Sequence, residues 1–121
     1  MANILLVEDD PMIRKMVSLR LRTKGYQVDE AENGKLGMEA ALGNSYDLVL
    51  LDMHMPVMDG YDAARSLRAQ NYTGIIIAVT ASAMSEETSL AIDAGCNHFI
   101  PKPIGPDFEQ KIEAIMAGDA P

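Results

Sequence analysis

ILLVEDDP, residues 4–11, decides how the rest of the chain is read. Four consecutive apolar residues, Ile4 to Val7, run straight into three acids, Glu8, Asp9 and Asp10, and then into Pro11. A continuous apolar run of strand length belongs to a strand covered on both faces, as in a parallel sheet, whereas a strand with one wet face would alternate. Pro11 suits the first turn of a helix, where its missing N–H has no partner to lose. The helix it opens carries an apolar stripe on Ile13, Met16, Val17 and Leu21 and stops at Gly25. Asn3 to Glu8 is thus expected as a buried strand that ends in acid and turns at once into a helix.

The same unit repeats outward from there. Gln27 to Ala31 reads as a short second strand, and Lys35 to Leu42 as a helix stopped by Gly43 and Asn44. Tyr46 to Asp52 is the expected third strand, with the core run Leu48 to Leu51; a loop from Met53 to Asp59 leads to a helix over Gly60 to Gln70. Gly74 to Thr80 is the fourth strand. Ser85 reads as an N-cap with Glu86 and Glu87 in the first turn, and Gly95 ends that helix. Asn97 to Pro101 is the fifth strand, and Gly105 and Pro106 open a last helix striped by Phe108, Ile112 and Ile115. The tail from Ala117 to Pro121 is expected to fray. Strands alternating with helices predict an α/β domain with a parallel sheet covered on both faces, and 121 residues fit one domain, 1–121.

Composition narrows the function. A hydrophobic share of 48% supplies a sizeable core. The net charge of −8 repels phosphate backbones, so no nucleic-acid partner is expected. No run is long and apolar enough to cross a membrane, and an N-terminus that meets acid so soon is not a signal peptide. Cys96, the lone cysteine, cannot close an internal disulfide; it reads as a small core residue and suits a cytoplasmic location. The expected chain carries no output domain after its last helix, so it acts by docking or is a piece of a larger chain.

Ligands of an open parallel sheet bind outside the carboxyl ends of its strands. Those ends deliver Glu8, Asp9 and Asp10, then Asp52, then Thr80, and just beyond the fifth strand Lys102 and Pro103. Any one of these residues alone marks only where a strand leaves the core. Together they place acids, a hydroxyl and an amine around one crevice. Close carboxylates require a proton or a cation between them, and oxygen ligands select a hard ion such as Mg2+. A carboxylate can attack phosphorus, while a lysine and a hydroxyl can hold the phosphoryl oxygens.

Four segments carry a resemblance: ILLVEDDP at 4–11, LLDMHMPVMDG at 50–60, IIIAVTASA at 75–83 and FIPKPI at 99–104. Nearly the whole chain resembles the receiver domain of two-component response regulators. The resemblance implies a flavodoxin-like doubly wound sheet of five parallel strands in the order 2-1-3-4-5. It implies a phosphoacceptor switch, not an enzyme acting on other substrates, that is charged in a Mg2+-dependent reaction by a histidine kinase or a histidine phosphotransfer protein. Asp52 matches the phosphorylated aspartate, Asp9 the direct metal ligand and Glu8 the acid that holds metal through water. His54 matches a position whose backbone carbonyl binds the metal. Thr80 and Phe99 match the switch pair, Lys102 the phosphoryl-binding lysine, and Lys102–Pro103 a peptide bond that is cis in the family. The implied downstream partner docks on the fourth helix, fifth strand and last helix. His54 and Ser82 flank the site at variable positions and are read as tuning the lifetime of the acyl phosphate.

Rival readings fare worse. A phosphatase of the haloacid dehalogenase kind needs a second Asp where His54 stands. A flavin carrier needs a phosphate loop after the first strand, where Glu8, Asp9 and Asp10 would repel it. A pseudo-receiver would lack part of the set that is present here in full. Met53, Met55 and Met58 read as adaptable packing around a turn.

Overall fold

The structure is a computed structural model and describes residues 2–55, 57–80 and 85–118. Five strands, β1 (Asn3–Val7), β2 (Gln27–Ala31), β3 (Leu48–Asp52), β4 (Ile75–Thr80) and β5 (His98–Pro101), alternate with five helices. The helices are α1 (Pro11–Thr23), α2 (Gly34–Gly43), α3 (Gly60–Ala69), α4 (Ser85–Asp93) and α5 (Phe108–Met116). All strand pairs are parallel and the order is β2-β1-β3-β4-β5. Among the described residues, no helix is long and apolar enough to cross a membrane.

The apolar runs make two cores, because alternate residues of a strand face opposite sides of the sheet. Leu5, Val7, Val49, Leu51, Ile76 and Ala78 join Ala63, Ala64 and Leu67 of α3, Ala91 of α4 and Ala94 just past it in one core. Ile4, Leu6, Leu48, Leu50, Ile77 and Val79 join Val17 and Leu21 of α1 and Phe108, Ile112 and Ile115 of α5 in the other. That is why the central strands read as unbroken apolar stretches. Cys96 is buried in the first core, and burial pushes its thiol up to about 11. The thiolate is the nucleophile, so Cys96 is expected to resist iodoacetamide in the folded protein and to label fully in denaturant. Fast native labelling, read by intact mass, would contradict this placement.

β1, β4, β5 and α3 each have one end, and α2 both ends, a residue away from the sequence reading, and other differences have local causes. Met16 is 44% exposed; it sits about 100° around the helix from Val17, and the buried face of α1 is Val17, Ser18 and Leu21. β3 begins at Leu48, with Asp47 still bonded to Asn3 and the Tyr46 hydroxyl turned to Asp29. α2 starts one residue earlier, at Gly34, because the Asn33 side chain accepts from the Leu36 N–H. α5 starts at Phe108; Gly105 and Pro106 form the turn before it, where the Phe108 N–H reaches the Gly105 carbonyl. The capping role of the Ser85 side chain, and the Ala81–Met84 loop with Ser82, lie outside the described residues.

Candidate functional site

β1 pairs with β2 on one side and β3 on the other, so the chain leaves β1 in one direction and β3 in the other. The crevice that opens between such strands is where ligands bind. Its residues are fixed by extensions of the parallel ladder. The Glu8 N–H bonds the Ala31 carbonyl at 3.0 Å, the Met53 N–H the Val79 carbonyl at 3.1 Å, and the Lys102 N–H the Thr80 carbonyl at 2.7 Å. Each strand end is therefore held by its neighbour one residue past the strand.

Carboxylate oxygens of Glu8, Asp9 and Asp52 lie within 4.8 Å of one another. Glu8 and Asp52 are buried, and Asp9 is half-buried. Lys102 Nζ stands 3.2 Å from Glu8 Oε1 and 3.2 Å from Asp52 Oδ2. The remaining oxygens are also engaged: Glu8 Oε2 accepts the Asp10 N–H at 3.1 Å, and Asp52 Oδ1 accepts the His54 N–H at 3.2 Å. Burial pushes the Glu8 carboxyl up to about 7, and the neighbouring Asp52 adds to the rise against the Asp10 N–H and Lys102. Burial disfavours the Lys102 charge, but Asp52 and Glu8 outweigh it and hold the ammonium above its ordinary value.

The donor set fits Mg2+. It offers hard oxygen ligands from a few carboxylates and is partly open at Asp9, as an ion needs if it is to keep waters and take phosphate oxygens. Asp10 does not join the cluster. It is exposed and caps α1, its Oδ1 accepting the N–H groups of Met12 and Ile13. Asp59 caps α3 in the same way through the Asp62 N–H.

Thr80 is buried at the end of β4, beside Pro101 in register. Phe99 lies on β5 opposite Ala78 and packs, half-buried, against the core that contains Met53, Ala91 and Ala94. The Lys102–Pro103 peptide is cis. Met53 is fully buried, and Met55 and Met58 pack against the same core, so this trio is packing. The His54 imidazole reaches α4: its Nε2 is 3.7 Å from Glu87 Oε2, and its ring meets Tyr61 edge-on. Tyr61 also donates its hydroxyl to Glu87.

Sequence reasoning missed three contacts. It gave Lys102 a phosphoryl-binding role but not the pairing with Glu8. It did not link Tyr61 to Glu87, which no local pattern joins. It did not single out Arg14, although its place one turn after an acidic run was a usable signal.

Comparison with known proteins agrees with the geometry. Residues 4–114 match the family described as response regulator receiver domain. The response regulator ArlR of Staphylococcus saprophyticus is 38% identical over 117 residues, which cover 97% of this chain and 52% of ArlR. The two-component response regulator ORR41 of Oryza sativa subsp. japonica is 36% identical, covering 97% of this chain and 93% of that protein. The chain thus spans about half the length of the curated relatives it matches first. Among solved structures, the receiver domain of sensor histidine kinase PA1611 from Pseudomonas aeruginosa PAO1 superposes with a TM-score of 0.87 at 35% identity, covering 98% of each chain; that protein has a magnesium ion coordinated in its active site cleft. A CheY-like sheet with an acidic crevice at its switch point, matched over nearly its full length, makes this chain a member of the response regulator receiver domains, the phosphoacceptor switches of two-component signalling.

Proposed function

We propose that Asp52 is the phosphoacceptor and that the chain, read as one receiver domain, switches partner binding when Asp52 is charged. One observation carries this reading: Asp52 shares a 4.8 Å cluster with Glu8 and Asp9, while Lys102 stands 3.2 Å from both Glu8 and Asp52. Three strand ends contribute a nucleophile, a cation site and a positive charge to one point. Asp9, Asp52 and the backbone carbonyl of His54 would hold Mg2+, with Glu8 acting through water. When bound, Mg2+ supplies positive charge to the oxygens of the transferring phosphoryl group.

The donor is a phosphohistidine of a histidine kinase or phosphotransfer protein. An Asp52 carboxylate oxygen forms the O–P bond as the P–N bond breaks, and the electron pair leaves on the imidazole nitrogen. Lys102 then exchanges its carboxylate partners for a phosphoryl oxygen, and the Thr80 hydroxyl donates to another. Phosphorylation adds roughly one to two negative charges at Asp52. The response runs from Thr80 to Phe99 on the neighbouring strand and so to the face made by α4, β5 and α5, which takes the downstream target. Phosphate and target favour the same state, so each tightens the other's binding.

The test is intact mass after incubation with acetyl phosphate and Mg2+. The wild type is expected to gain one phosphoryl group, removable by hydroxylamine, and Asp52→Asn to gain none. A label that persists in Asp52→Asn sinks the assignment.

A further inference from the structure

The acidic loop must be held together against its own repulsion. Glu8 and Asp9 are consecutive, and both bring carboxylates to Asp52. Lys102 answers at the carboxylates. A second cation, Arg14, answers at the backbone. Its Nη1 donates to the Glu8 carbonyl at 2.8 Å and lies 3.5 Å from the Asp9 carbonyl. Its own N–H bonds the Asp10 carbonyl at 2.9 Å, so side chain and main chain grip three successive peptides.

The guanidinium is itself held. Arg14 Nε pairs with Glu30 Oε1 at 3.4 Å. Glu30 Oε2 takes the Ser18 hydroxyl at 3.2 Å and Arg22 Nη2 at 3.2 Å, and that same Nη2 is anchored on the Val28 carbonyl at 2.8 Å. A brace therefore runs from β2 through Glu30 and Arg14 to the peptides that carry the site's acids.

We infer that Arg14, braced by Glu30, is a positioning residue for the cation-binding loop and sets its selectivity for Mg2+ over the larger Ca2+. This rests on the reading that Glu8, Asp9 and Asp52 form the cation site. Mg2+ requires near-ideal octahedral geometry at short distances, whereas Ca2+ accepts longer and more varied ones. A loosened loop therefore costs Mg2+ more than Ca2+. Grip and charge act with opposite signs. As a nearby positive charge, Arg14 weakens cation binding; as a clamp, it strengthens it. Lysine separates the two, because it keeps the charge but not the planar fork that spans a carbonyl and a carboxylate at once.

The experiment titrates the wild type, Arg14→Lys, Arg14→Gln and Glu30→Gln with MgCl2 alone and CaCl2 alone, following backbone amide shifts, beside metal-free thermal unfolding. Both Arg14 variants are expected to lose about tenfold in Mg2+ affinity, the scale typical of partners behind a metal ligand. They should lose less for Ca2+ and unfold near the wild-type temperature. Glu30→Gln should lose Mg2+ affinity in the same direction by a smaller factor, and it carries the test if the Arg14 variants do not fold. Wild-type Mg2+ affinity in Arg14→Lys, tighter binding in Arg14→Gln, or equal losses for both ions would overturn the inference. A wild type without Mg2+-dependent shifts at Asp9 and Asp52 would instead overturn the cation site itself, and this inference with it.

Discussion

The metal-free protein is expected to lose stability as pH rises from about 4.5 to about 7, and Glu8→Gln to abolish most of that loss. The folded state raises the Glu8 carboxyl from 4.5 to about 7. Between those values the folded chain holds a proton that the unfolded chain has released, so the stabilisation is present at the acid end and disappears toward neutrality. Every tenfold gain in proton affinity on folding is worth about 1.4 kcal/mol, so the swing is on the order of 3 kcal/mol. Lys102 acts outside this window: its raised value supports the fold until pH climbs past about 10.5. A bound Mg2+ replaces the proton, so added MgCl2 should stabilise the fold more at pH 8 than at pH 5. Urea unfolding across pH, with and without MgCl2, measures both effects. A flat profile in the wild type, or an unchanged slope in Glu8→Gln, would contradict the raised Glu8 carboxyl.

Gly60→Ala is expected to cost about 3 kcal/mol, the upper end for forced overpacking, and to weaken Mg2+ binding as well. A Cβ at Gly60 would stand 2.3 Å from the Asp52 carbonyl oxygen and 2.7 Å from Met53 Cα, both backbone atoms that cannot rotate away. It would also meet Met53 Cε at 2.5 Å, and that methyl fills the core. Relief requires α3 to back off or the end of β3 to move, and the latter carries Asp52. Gly43→Ala is the control. It closes α2 with nothing within 4 Å of a new Cβ, and is expected to stabilise by roughly 0.5–1 kcal/mol. Denaturant midpoints of the two variants that moved together would contradict the close approach at Gly60.

Most of the architecture was legible because the central strands are buried on both faces. ILLV, LVLL and IIIAVT have no other natural place in a chain of this size, and each ends beside a polar residue that marks the crevice. The place of the candidate residues was legible for the same reason: Asp9, Asp52, Thr80 and Lys102 sit at or just past strand ends. What failed was local. Met16 looks like core by hydropathy, yet rotation about α1 puts it outside. Pro106 looks like a helix start, but Gly105 and Pro106 lie in a turn and α5 begins at Phe108. Asp10 belongs to the acidic run in sequence and to the helix cap in space, because Met12 and Ile13 present free N–H groups to it. The pairing of Glu8 with Lys102 joins residues 94 positions apart, and only the fold brings them together.

The outer strands carry one more consequence. β2 and β5 are the two edges of the sheet, and an uncovered edge offers unpaired N–H and C=O groups to any other strand. On β2, Gln27, Asp29 and Glu30 are exposed, and Glu30 leans over the α1 side, where it is tied into Arg14, Ser18 and Arg22. An incoming strand would have to bury those charges. On β5 the run is four residues long and ends in Pro101, which has no N–H to give. The flanks that could template aggregation are thus blocked by charge on one side and by brevity and proline on the other. The unbroken apolar strands that make the fold readable, and that would stack into fibrils if exposed, stay locked in the middle of the sheet.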